Sequence, residues 1–199
     1  MTFDADAARE DARRYLRATA DTVGLVEETC LDDIVAAAAI LVSSLRAGGK
    51  ILICGNGGSA ADAQHLATEF VSTLTTDRVR PSIPAIANDF GPEWMFERQV
   101  ESLGRQGDVV IAISTSGNSA NVIRTAERAR GFGLPVIALT GESGGVLAPL
   151  ADAAVRVPST VTAHIQECHL AVEQLLASLV EDALYPRSER DPGAPTGND

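Results

Sequence analysis

Two stretches of the chain combine residue types that bind anions. The first, Gly55-Asn56-Gly57-Gly58-Ser59, follows an apolar run and precedes an alanine-rich segment. Glycines permit a tight turn that leaves backbone N–H groups open, and a helix N-terminus favours negative charge. The second, Ser114-Thr115-Ser116-Gly117-Asn118-Ser119, also follows an apolar run and carries four hydroxyl groups. Taken alone, it is equally compatible with an ordinary serine-rich turn, but two such loops together predict a phosphate site.

The segment after the first loop places ionisable side chains on one helix face. Ser59 stands where a helix N-cap is expected. Asp62, His65 and Glu69 follow at spacings of three and four residues, which puts them on the same side of a helix. The sequence therefore predicts an anion site at the N-terminus of a helix that carries an imidazole and a carboxylate one turn apart.

The elements that must position these groups alternate along the chain. Residues 5–47 are predicted to form two helices that break near Glu28–Asp32, and the second is apolar on most faces, as in a helix buried in its own domain or against another subunit. Strands are predicted at Ile51–Cys54, Ile83–Ala87, Val109–Ile113, Pro135–Leu139 and Ala154–Val157. Helices are predicted at Ala60–Leu74, Glu93–Leu103, Asn118–Arg130, Val146–Leu150 and Thr162–Leu184. This order predicts a parallel sheet covered by helices on both faces, with both loops at its carboxyl edge.

Length and composition are typical of one globular domain. The chain has 199 residues, 45% of them hydrophobic, and a formal charge of −11, which argues against a nucleic-acid-binding surface. We expect a single domain over 1–185 and a disordered tail over 186–199. Cys30, Cys54 and Cys168 are predicted to be buried free thiols. The acidic N-terminus indicates no signal peptide, and no apolar run approaches the ~20 residues that span a membrane. The expected location is the cytoplasm.

A dinucleotide site is a second interpretation of the first loop, because 55–60 fits G-x-G-x-x-A. That fold also needs an acidic residue at the end of the following strand, roughly 20 positions on. The only acidic residue near that position is Asp77, which precedes the predicted strand rather than following it. The hydroxyl-rich second loop also suits a monophosphate better, so the dinucleotide hypothesis is the weaker one.

The two loops and the helix after the first closely resemble the sedoheptulose 7-phosphate (phosphoheptose) isomerase branch of the sugar isomerase (SIS) domain family. The similarity extends to Leu139-Thr140-Gly141 with Gly144-Gly145, and to Ile165-Gln166-Glu167 with His169. It runs from about Asp21 to Leu184. The resemblance implies an α/β three-layer, doubly wound, flavodoxin-like sandwich with a five-stranded parallel sheet and N-terminal helices. It also implies a homotetramer with active sites at subunit junctions.

The resemblance assigns roles to particular positions. It implies that Ser114, Thr115, Ser116 and Ser119 hold the substrate phosphate, and that Asn56, Gly57, Gly58, Ser59 and Gln166 complete the sugar-phosphate pocket. An aldose–ketose isomerase needs a base near the carbons and an acid or a metal near the oxygens. The implied catalytic positions are Glu69, His65 and Gln174. Zinc, where the family has it, would be held by His65, Glu69, Gln166 and Gln174; the alternative is direct polarisation of the sugar oxygens.

The chain departs from the family in three places. The family has a histidine at the position of Gln174, and a carboxamide is neither a general acid nor a base and is a poor zinc ligand beside an imidazole. His169 is either a substitute for that histidine or a buried structural residue. The segment before Asn88-Asp89-Phe90-Gly91 is shorter than in the family, which indicates a more open pocket or a lost activity. Ala163-His164 replaces an aspartate before the Ile-Gln pair, and His164 is expected on the helix surface.

Two functions follow from these patterns. The first is isomerisation of a phosphosugar, sedoheptulose 7-phosphate to D-glycero-D-manno-heptose 7-phosphate or a close relative. The second is a non-catalytic SIS-domain regulator that binds a phosphosugar or a protein, similar to the replication-initiation regulator of the same branch. That regulator also has an amide at the late position but lacks the glutamate, so Glu69 favours the enzyme.

Overall fold

The computed structural model describes residues 5–71 and 91–184, apart from the side chains of Thr68, Glu69 and Val71. Six α-helices and four strands lie in these ranges: α1 Ala5–Thr29, α2 Leu31–Arg46, β1 Ile51–Gly55, α3 Gly58–Val71, α4 Glu97–Leu103, β2 Val109–Ile113, α5 Ala120–Gly131, β3 Val136–Gly141, β4 Ala153–Val157 and α6 Thr162–Leu184. Single 3-10 turns occur at Pro92–Trp94 and Ala148–Leu150. None of the described helices is long and apolar enough to cross a membrane.

The four described strands form one parallel sheet in the order β1-β2-β3-β4. The register pairs Gly55 with Ile113 and Ile113 with Leu139, so the carboxyl ends of β1, β2 and β3 lie at one edge. This arrangement confirms the predicted α/β class and the four strands within a few residues. The predicted strand Ile83–Ala87, the segment 88–90 and the predicted tail lie outside the described residues.

Side chains of alternate strand residues enter two separate cores, because successive residues of a strand point to opposite faces. Ile111 and Leu139 pack with residues of α2, α3 and α6 on one face. Ala112 and Ala138 pack with Val100 of α4 and Ala126 of α5 on the other. The molecule is therefore the predicted three-layer sandwich with helices on both faces of the sheet.

Three local predictions are wrong. The predicted helix Val146–Leu150 is a single 3-10 turn over Ala148–Leu150. The predicted helix Glu93–Leu103 is divided into a 3-10 turn and α4, because Pro92 opens the turn and Trp94 stacks 3.7 Å from the Arg124 guanidinium of α5. Ser59 is not an N-cap, because α3 already begins at Gly58. A hydrogen bond from Ala60 N–H to the Gly57 carbonyl, 3.1 Å long, closes this turn one residue earlier than expected.

Candidate active site

The hydroxyl-rich loop lies at the carboxyl end of β2 and is held by its own hydrogen bonds. Ser114 is buried, and its hydroxyl lies 3.1 Å from that of Ser119. Ser119 occupies the N-cap position of α5 without capping the helix through its side chain. The first N–H groups of α5 therefore face the same loop as the hydroxyls, which is the environment that a phosphate prefers.

The loop after β3 packs directly against this hydroxyl-rich loop. Gly117 has a φ of 66°, and a Cβ at this residue would overlap the Gly144 backbone. The Leu147 N–H donates to the Gly117 carbonyl at 3.0 Å, and the Gly141 N–H donates to the Thr115 carbonyl at 2.9 Å. The close approach of two backbones explains why glycines stand at 117, 144 and 145.

The glycine loop after β1 turns sharply into α3. A Cβ at Gly55 would lie 2.5 Å from the Ser59 carbonyl oxygen, so the turn tolerates only glycine there. Gly57 has a φ of 55°, which also favours glycine. Asn56 is exposed at the tip of the loop, and Ser59 is buried beneath it.

A pair of amides joins the two loops. The Asn56 Nδ2 donates to Asn121 Oδ1 at 2.7 Å, and the Asn121 Nδ2 donates to Asn56 Oδ1 at 2.8 Å. Asn121 lies in the first turn of α5, two residues after Ser119. The predicted pocket residues of the first and second loops are thereby brought to one edge of the sheet. No role was predicted for Asn121 from the sequence, because it lies two residues beyond the hydroxyl-rich loop.

Helices α3 and α6 pack beside this edge and carry the other predicted residues. His65 Nε2 lies 2.5 Å from Gln174 Nε2. Gln166 contacts Gly58, where a Cβ would overlap the Gln166 amide. Glu69 belongs to α3, but its side chain is outside the description, so its predicted role as base stays a prediction.

A buried carboxyl group at Glu173 was not expected from the sequence. Glu173 is fully buried on α6, and within the described residues neither of its carboxyl oxygens has a hydrogen-bond partner. Burial, and then the charge of Asp62 on α3, raise the pKa of Glu173 to about 8. Burial also raises the pKa of Asp62, and the nearby His65 opposes that increase. The burial of Glu173 could have been predicted from the periodicity of α6, because Glu173 is four residues after His169 and three before Leu176, and both of these are buried.

The other candidate histidines lie away from the loops. His169 is fully buried, its Nε2 lies 3.2 Å from the Thr140 carbonyl oxygen, and burial lowers its pKa to about 4. These contacts are those of a structural histidine. His164 is partly exposed and meets the Tyr15 ring edge to face at 5.2 Å. All three cysteines are buried and free, as predicted, and burial raises the pKa of Cys54 to about 12.

The three described residues predicted to hold zinc do not fit a tetrahedral zinc ion in this arrangement. Two atoms bound to one such ion lie about 3.3 Å apart, because each bond is about 2.0–2.1 Å long. The His65 and Gln174 nitrogens are closer than that, at 2.5 Å. Gln166 contacts Gly58, which is about 10 Å from His65 along α3. Within the described residues, no group of three or more His, Cys, Asp or Glu could hold a metal ion. Glu69, the fourth residue that the resemblance implies for zinc, has no described side chain, so zinc stays a prediction from the resemblance.

The chain belongs to the SIS domain family, whose model matches residues 14–141. The phosphoheptose isomerase of Rhodospirillum rubrum is 50% identical to it over 165 residues, which cover 78% of this chain and 88% of that protein. The phosphoheptose isomerase of a Roseiflexus species is 47% identical over 182 residues, 85% of this chain and 91% of that protein. The solved structure of the phosphoheptose isomerase from Neisseria gonorrhoeae superposes with a TM-score of 0.82 at 39% identity and covers 88% of this chain and 99% of that one. The resemblance found in the sequence is confirmed.

Proposed function

We propose that this chain is a phosphoheptose isomerase that interconverts sedoheptulose 7-phosphate and D-glycero-D-manno-heptose 7-phosphate. The observation that carries the proposal is the meeting of the hydroxyl-rich loop and α3 at one edge of the sheet, joined by Asn56 and Asn121. The relatives that carry the same name support an enzyme rather than a regulator, because their similarity spans most of both chains.

The substrate phosphate is assigned to the loop after β2. Ser114, Thr115, Ser116 and Ser119 supply hydroxyl donors, and the N-terminus of α5 supplies backbone N–H groups. The chain carries a formal charge of −11, so attraction of a dianion rests on these oriented donors rather than on the net charge. The glycine loop and Gln166 are assigned to the sugar hydroxyls.

The proton transfers are assigned to α3. Isomerisation moves a proton between C1 and C2 through an enediol, and a second proton between O1 and O2. We assign the carbon-bound proton to Glu69 and the polarisation of the oxygens to His65, one helical turn earlier. Gln174 contacts His65 and cannot itself transfer a proton, because an amide does not titrate near neutral pH.

The test is direct. Purified protein is incubated with sedoheptulose 7-phosphate and aldose formation is followed by NMR, for the wild type, for Glu69→Gln and for a matched control, Glu127→Gln, on the exposed face of α5. We expect turnover by the wild type and the control, and none by Glu69→Gln with an unchanged circular dichroism spectrum. A wild type that shows no turnover, while the phosphosugar still raises its Tm, would support the regulator instead.

We further propose a homotetramer in the cytoplasm. Exposed apolar side chains on the outer helices, such as Leu16 of α1 at 67% exposure and Val35 of α2 at 60%, support burial against other subunits. Three buried free thiols are compatible with a reducing compartment. Light scattering after gel filtration tests the assembly: a mass four times that of the chain is expected, and a monomer would contradict it.

A further inference from the structure

The contact between His65 and Gln174 occupies the position that distinguishes this chain from its family. Gln174 is exposed on α6, and its Nε2 lies 2.5 Å from His65 Nε2 on α3. An amide nitrogen has two hydrogens and no lone pair for bonding, so in this pair it donates and the imidazole nitrogen accepts. The lone pair of His65 Nε2 is therefore engaged by α6.

The same lone pair is what a metal held between α3 and α6 would require from His65. The distance between the two nitrogens is too short for both to bind one tetrahedral ion, and the amide presents its nitrogen rather than its oxygen. Gln166, the other amide of α6, contacts Gly58 instead of His65. The hydrogen bond to Nε2 therefore fixes the His65 ring relative to α6, as a bond to a metal would otherwise do.

We propose that Gln174 is a positioning residue that holds His65 by a hydrogen bond to Nε2, so that this site works with an oriented imidazole in place of zinc. Acceptance at Nε2 requires the Nδ1–H tautomer of His65. Nδ1–H is then the donor that His65 directs to a sugar oxygen. This last step rests on the isomerase function proposed above, whereas the hydrogen bond and the lack of zinc affinity do not.

The first test is calorimetric titration of the full chain with zinc chloride. It compares the wild type, Gln174→His and a control, Gln64→His, which adds a histidine on the exposed side of α3 next to His65. We expect Gln174→His to bind zinc at least about 100-fold more tightly than the other two, since even outer-shell partners change metal affinity 10- to 100-fold. A wild type that binds zinc within tenfold of Gln174→His, and loses that binding in Gln174→Ala, would overturn the proposal.

The second test reads the tautomer of His65 without reference to turnover. The chain has three histidines, so the ¹⁵N signals of His65 are assigned by their loss in His65→Asn. We expect the Nδ1–H tautomer in the wild type and a return towards Nε2–H in Gln174→Ala. An Nε2–H tautomer in the wild type would overturn the proposal, including in the case where neither protein binds zinc.

The zinc titration and the tautomer measurement test the role of Gln174 separately from the proposed isomerase activity. A protein with the expected tautomer and no zinc affinity, but without turnover of sedoheptulose 7-phosphate, would disprove the isomerase and leave the hydrogen bond standing. A protein whose turnover disappears in EDTA and returns with zinc would support the isomerase and disprove the proposal that the hydrogen bond replaces zinc.

Discussion

Replacement of Glu173 by glutamine should stabilise the protein, and more strongly as the pH rises. The fully buried carboxyl group faces Asp62 and has a pKa of about 8 in the folded chain, against an ordinary 4.5. Because the folded pKa lies above the unfolded one, the folded chain keeps a proton that the unfolded chain releases between pH 4.5 and 8. The free energy of unfolding therefore falls as the pH rises through that window. Glutamine has nearly the same shape and does not ionise.

The size of the effect follows from the two pKa values. The difference between pKa values of 4.5 and about 8 lowers the free energy of unfolding by at most roughly 5 kcal/mol above pH 8. Water penetration and side-chain rotation lower the cost of a buried charge, so we expect a gain of about 3 kcal/mol at pH 9 and about 2 kcal/mol at pH 7. At pH 4.5 the protonated carboxyl and the amide are nearly equivalent, and the two proteins should differ little.

The assay is urea unfolding at pH 4.5, 7 and 9, at one protein concentration and with a chelator present. The exposed Glu127→Gln serves as control and should match the wild type at each pH. His169 titrates over a neighbouring range, with its pKa lowered to about 4, but it is common to all three proteins and cancels in the difference. A gain for Glu173→Gln that is the same at all pH values, or a loss at pH 9, would refute the argument from burial.

Three further substitutions test other contacts. Asn121→Ala removes both side-chain hydrogen bonds to Asn56. We expect calorimetry to show about tenfold weaker binding of the phosphosugar and unchanged affinity for inorganic phosphate. Equal losses for both ligands would place Asn121 in the phosphate site. Gly117→Ala forces a side chain into a φ of 66° against the Gly144 backbone, and Tm measured by calorimetry should fall by about 5–10 °C; an unchanged Tm would contradict the close packing. His169→Gln should remove the loss of stability that the wild type shows as the pH falls from 6.5 to about 4, because the folded histidine resists protonation and glutamine does not titrate. Identical acid unfolding curves for the two proteins would contradict this.

Much of the fold was predictable because the layers follow from hydrophobic periodicity. The run 109–113 is apolar on every residue, which is typical of a strand buried on both faces, and β2 is buried throughout. The break of the 93–103 helix was not predictable in this way, since it depends on the stacking of Trp94 on Arg124 from a distant helix. Local propensity contains no information about such a partner.

The site was predictable to the extent that its parts are contiguous in sequence. The loop at 114–119 and the glycine loop with Gly55, Gly57 and Gly58 could be found because their functions depend on neighbouring backbone groups. The Asn56–Asn121 pair and the His65–Gln174 contact join residues 65 and 109 positions apart, and only the tertiary structure brings them together. Glu173 was missed because a carboxylate in a helix is normally expected to face water.

The self-supporting loop after β2 bears on the thermodynamics of recognition. The Ser114 hydroxyl is hydrogen-bonded to that of Ser119. The carbonyls of Thr115 and Gly117 accept hydrogen bonds from Gly141 at the end of β3 and from Leu147 in the loop after it. A phosphate that enters such a loop needs to freeze few backbone torsions, so the entropic penalty of association is small. Phosphate capture should then proceed with a modest heat-capacity change, and discrimination among sugars falls to the groups that hold the rest of the molecule.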